Sequence, residues 1–158
     1  MIIRKGEVPA DPGSEGRADE FGAFELLRYS EAGGLTQYGA YMDTLQPGSR
    51  SSERHWHEKE DEFLYVLAGE VTIVENDGEH VLRPGDAACW PGGTPNAHHA
   101  VNRSSAPCSY LIVGTRLTHD VCHYPDAGRI LHTEGDNWRL VTDDGTPIKS
   151  GQIWRPPV

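Results

Sequence analysis

The chain has 158 residues, of which 24% are charged and 37% hydrophobic, and its formal net charge is −10. This length fits one soluble domain able to bury its own core. The acidic balance repels phosphate backbones and anionic membranes, so neither nucleic acid nor a membrane surface is an expected partner.

No apolar run approaches the roughly 18 residues that a transmembrane helix needs. Met1–Lys5 lacks the apolar stretch of a secretory signal, so the expected compartment is the cytoplasm. Cys89, Cys108 and Cys122 are odd in number and have no C-x-x-C spacing. They read as reduced thiols, with Cys89 and Cys108 packing in strands.

In chain order, residues 1–20 carry Pro9, Pro12, Gly13, Gly16 and many charges without sustained periodicity. They read as an N-terminal arm, mobile or ordered by a partner subunit. From Phe21 the pattern changes to short strands separated by turns. The expected strands are 24–29, 36–45, 54–57, 62–67, 70–75, 80–82, 87–90, 97–102 and 109–115. Between them fall Gly33-Gly34, Pro47-Gly48, Ala68-Gly69, Asn76-Asp77-Gly78, Pro84-Gly85 and Pro91-Gly92-Gly93. Asn76-Asp77-Gly78 is the strongest hairpin signal, because Asp-Gly supplies positive φ for a tight turn. Short strands at this spacing predict an all-β sandwich or barrel over residues 21–117. Residues 118–158 are less regular and read as an extension packed on the barrel or on a partner. It has turns at Tyr124-Pro125-Asp126 and Asp143-Asp144-Gly145, a short strand at 138–142, and Trp154 before Pro156-Pro157 as a docking element.

The chemistry concentrates at His55-Trp56-His57, Glu62 and His98. Histidines at i and i+2 share one face of a strand. A carboxylate after a short turn and an imidazole from a later segment complete a mixed N/O donor set. Such a set suits first-row transition metals and points to a metalloprotein rather than a plain binding barrel. Neighbours on a strand face opposite ways, so only one of His98 and His99 ligates comfortably; His99 and Asp61 stand as alternatives to His98 and Glu62. Glu58, Glu60 and Asp61 read as a solvated hairpin tip. His80, His119, His123 and His132 read as surface residues.

Two spacings carry a family resemblance. Gly48-x6-His55-x-His57-x4-Glu62-x6-Gly69 resembles the first cupin motif, with one extra residue after Gly48. Gly85-x5-Pro91-x-Gly93-x4-His98-x3-Asn102 resembles the second, with two extra residues before the histidine. The resemblance implies a cupin-type jelly-roll β-barrel, and His55, His57, Glu62 and His98 as ligands to one divalent transition metal ion (Fe, Mn, Ni or Zn). It also implies pairing into a homodimer.

Four protein ligands on a six-coordinate ion leave two positions for water, substrate or dioxygen. The sequence therefore points to a metal-dependent enzyme on a small oxygenated metabolite, of dioxygenase or isomerase/lyase type. A metal-containing ligand-binding or sensor module and a structural role are the alternatives. Leu64 and Val66 share the phase of Glu62 and are expected to wall the pocket, joined by Trp90, Tyr110 and Ile112. Tyr65 and Tyr110 are the candidate proton donors, against a plain packing role for each.

Overall fold

A computed structural model of the chain describes residues 1–11 and 17–153. The tail element proposed at Trp154, Pro156 and Pro157 lies outside these residues. The strands are β1 (Phe24–Arg28), β2 (Tyr38–Leu45), β3 (Trp56–His57), β4 (Glu62–Ala68), β5 (Val71–Glu75), β6 (Gly78–Leu82), β7 (Ala87–Trp90), β8 (His99–Val101), β9 (Cys108–Thr115), β10 (His119–Tyr124), β11 (Arg129–Glu134), β12 (Asn137–Thr142) and β13 (Pro147–Gln152). They form three antiparallel sheets, ordered β1-β2-β9-β4-β7, β6-β5-β8 and β13-β12-β11-β10-β3. The architecture is the expected all-β jelly roll.

Period-2 alternation sets which side chains form the core. Along β4, Leu64 and Val66 are buried while Phe63 and Tyr65 are exposed. The core joins Leu64 and Val66 to Leu45, Val71, Ile73, Trp90, Ala100, Cys108 and Tyr110. Each fully buried aliphatic side chain there contributes about 1.5–3 kcal/mol. Exposure of Tyr65 removes it from the pocket, and Cys89, expected in the packing, is exposed.

Turn chemistry fixes the corners. Glu75 pairs with Gly78 across a two-residue turn, and Gly78 takes φ +140°. Gly69 has φ +74°, and a Cβ there would meet the Pro107 carbonyl oxygen at 2.6 Å, so no larger residue fits. Asn102 is fully buried. Its Nδ2 donates to the Leu45 and Ala106 carbonyls, and its Oδ1 accepts from Ser104. The asparagine that ends the second motif is therefore a buried stitch between loops.

Two regions are more ordered than the sequence suggests. Within residues 1–20, Val8 is buried, Asp11 bridges Leu26, and a short helix α1 spans Arg17–Phe21. Beyond Leu117 the chain forms a four-strand antiparallel meander, β10 to β13. Strand β10 also pairs with β3, opposing Cys122 to His57 and His123 to Trp56. Its alternation is interrupted by polar residues such as Asp120 and Arg139, which hid the strand period. Among the described residues, no helix is long and apolar enough to cross a membrane.

Candidate metal centre

His55 and His57 arrive on the short run into β3. His55 exchanges two backbone hydrogen bonds with His98, at 3.1 and 2.9 Å, which locks the two motif segments together. Glu62 opens β4 opposite Trp90 and Gly114. Of the four residues named from the sequence, His55, Glu62 and His98 bring their ligand atoms within 4.8 Å of one another, and His57 lies beside them, grouped with His55 and Cys122. The Glu62 Oε2 atom lies 2.8 Å from His98 Nε2, 3.6 Å from His55 Nε2 and 3.8 Å from His57 Nε2.

The opposite ring nitrogens are all engaged. His55 Nδ1 is 3.0 Å from the Glu53 carbonyl, His98 Nδ1 is 3.0 Å from the Asn96 carbonyl, and His57 Nδ1 is 2.6 Å from Asp120 Oδ2. A carbonyl oxygen only accepts, so Nδ1 of His55 and His98 carries the hydrogen and Nε2 of the neutral ring is left bare. Bare nitrogens and a carboxylate aimed at one point repel unless a cation or protons lie between them. Metal bonds of about 2.1 Å would hold neighbouring donors roughly 3 Å apart, near the 2.8 Å between Glu62 Oε2 and His98 Nε2, while the 3.6 and 3.8 Å separations to His55 and His57 are wider. The donor set therefore fits a divalent transition ion.

Electrostatics follow this crowding. Burial alone would raise the Glu62 carboxyl, but with no ion between them the surrounding imidazoles of His55, His98 and His57 hold it well below the usual range. Burial would lower His57, yet hydrogen bonds with Asp120 and the Cys122 sulfur, together with the Glu62 carboxylate, push it up to about 11 without a metal. Trp90 lies flat on His98, with ring centroids 3.7 Å apart. His99 points elsewhere: its Nδ1 is 2.8 Å from the Ser52 carbonyl, and burial lowers its affinity for a proton. The Nε2 convergence belongs to His98.

The acidic run before Glu62 is not a solvated tip throughout. Glu60 is half-buried, with Oε2 3.9 Å from His57 Nδ1, and burial raises its carboxyl. Asp61 Oδ1 accepts from Gly92 N at 2.8 Å and so serves the backbone. His123, read as a plain surface residue, stacks on Trp56 at 4.3 Å. Asp120 carried no sequence signal, because its partner lies 63 residues away.

A cavity of about 110 Å³ adjoins the cluster, lined by Asp43, Leu64, Trp90, Tyr110 and Ile112 among others. Of the residues expected to wall it, Leu64, Trp90, Tyr110 and Ile112 do so, whereas Val66 packs in the core and does not line it. Tyr110 is buried and donates to Asp43 Oδ2 at 3.1 Å; burial and the adjacent carboxylate push its phenol well above the usual range. A larger chamber of about 640 Å³ is lined by Arg28, Glu31, Tyr41, Glu60, Arg116 and Thr133, among others. Tyr41 is two residues from Asp43 on β2 and pairs with Arg28, so the two spaces share one face of the sheet.

A cupin domain family profile matches residues 41–114. Among solved structures, a sugar phosphate isomerase of the cupin superfamily from Silicibacter pomeroyi is 35% identical, with 98% of this chain and 100% of that chain covered and a TM-score of 0.86. A proposed sugar phosphate isomerase from Acidithiobacillus ferrooxidans is 28% identical over 80% of this chain and 81% of that chain, with a TM-score of 0.74. A polyketide cyclase from Streptomyces resistomycificus shares the fold, at 24% identity over 73% and 78% of the two chains and a TM-score of 0.59. A search of curated proteins finds no match. The chain belongs to the cupin superfamily.

Proposed function

We propose that this cupin binds one divalent transition ion through His55, His57, Glu62 and His98 and isomerises a small phosphorylated sugar. The carrying observation is the approach of three imidazole Nε2 atoms to Glu62 Oε2, beside a chamber lined by Glu60, Arg116 and Tyr41 among others. The similarity to the Silicibacter pomeroyi protein, which extends over nearly the whole chain, supports the substrate class. When bound, the ion supplies Lewis acidity at a substrate oxygen and lowers the pKa of bound water.

The chain's own groups supply the rest. Arg28, Glu31, Tyr41 and Arg116 offer alternating donors and acceptors, which suit a ligand rich in hydroxyl groups. Arg116 is itself held by Glu31 and Tyr41, so its guanidinium is fixed before a ligand arrives. Leu64, Trp90 and Ile112 exclude water from the reacting end. Moving a carbonyl along a sugar requires a proton to leave one carbon and return to its neighbour. Asp43 and the neutral Tyr110 hydroxyl line the small cavity and are placed to exchange that proton.

The test is incubation of metal-loaded protein with aldose and ketose phosphates in deuterated water. Interconversion with deuterium entering at the carbon beside the carbonyl is expected, and it should vanish in His98→Ala. Tight binding without interconversion would return the chain to the ligand-binding alternative.

A further inference from the structure

We infer that Asp120 is a positioning residue of the metal centre, supplied by a strand beyond the cupin-profile match and fixing the direction and tautomer of His57. This rests on the metal reading above. Asp120 is 5% exposed, and both carboxylate oxygens are engaged. Oδ2 is 2.6 Å from His57 Nδ1, and Oδ1 accepts from Lys59 N at 2.9 Å. The strand is seated independently, by Glu58 N donating to the Val121 carbonyl and by Cys122 pairing with His57.

The consequence is directional. An acceptor held against Nδ1 keeps the hydrogen there and leaves Nε2 bare, 3.8 Å from Glu62 Oε2. His55 and His98 present their Nδ1 atoms to backbone carbonyls; of the three Nδ1 atoms, only that of His57 meets a carboxylate. An anionic acceptor makes the imidazole a stronger donor to a cation than a carbonyl does. The profile ends at residue 114, so this part of the centre comes from outside the profile-matched segment.

The experiment measures Co(II) affinity by chelator competition for the wild type, Asp120→Asn, Asp120→Ala, His57→Ala and the double variant. Three ligands remain in His57→Ala, so its weaker Kd is readable at high cobalt. Asp120→Ala is expected to weaken binding about 10- to 100-fold in the wild-type background. In the His57→Ala background the further loss should be under about twofold, because the two residues act as one unit. Asp120→Asn should recover part of the loss, since its amide oxygen can accept the same bond, and should shift the Co(II) absorption bands. Equal losses in both backgrounds, or unchanged affinity in Asp120→Ala, would overturn the inference while leaving the metal reading intact. A wild type that takes up no cobalt would overturn both.

Discussion

Trp90 and His98 are stacked, with ring planes only 4° apart and centroids 3.7 Å apart. The indole covers one face of the imidazole, and its Nε1 donates to Glu75, so the ring that orients His98 is itself anchored. Trp90→Phe should keep most of the stack and bind metal within a few-fold of the wild type. Trp90→Ala should lose about 3–5 kcal/mol of stability from the cavity it leaves and bind metal more weakly. Urea unfolding and metal titration of the two variants measure these effects.

His98 and His99 are adjacent but should behave differently. His98→Ala removes one of the four metal-ligand candidates and is expected to weaken metal binding at least about 10-fold. His99→Ala should retain it, because the His99 ring is engaged by the Ser52 carbonyl. Metal titration of the two variants side by side decides between them.

Asn102 is stability-critical without touching the centre. Replacing it by alanine leaves the Leu45 and Ala106 carbonyls without its two donors. Ser104 Oγ still donates to the Ala106 carbonyl, so the cost is expected to be about 1–3 kcal/mol rather than twice that. Urea unfolding checks this, with metal stoichiometry expected to remain near the wild-type value in the folded fraction.

The chamber gives a pH effect separate from the metal ligands. Burial raises the Glu31 carboxyl, but hydrogen bonds from Ser30 and Arg116 outweigh it and leave the carboxyl below its ordinary 4.5. A carboxyl lowered by folding stabilises the folded state above its unfolded value, and that stability is lost as pH falls through the folded value. Below about pH 4.5 the wild type should therefore lose melting temperature more steeply than Glu31→Gln. Thermal melts from pH 7 to pH 3 measure the difference.

The barrel and the convergence of the four named side chains were legible because their determinants are local. Leu64 and Val66 alternate with Phe63 and Tyr65, and His55 and His57 are two residues apart. Asp77-Gly78 marks its own turn. Asp120, Glu60 and the Arg28–Arg116 chamber were not legible. Asp120 meets His57 only because β10 pairs with β3, and Glu60 is drawn inward by a Leu117 backbone donor that the sequence does not reveal. Arg28, Tyr41 and Arg116 come from three separated segments, and only the sheet register brings them together.

The most direct test is the transition-metal content of untagged protein, purified without chelator, beside Glu62→Ala and His98→Ala. Elemental mass spectrometry should find close to one ion per chain in the wild type and a small fraction of that in either variant. A metal-free wild type whose melting temperature does not respond to added Mn, Fe, Ni or Zn would contradict the metal centre.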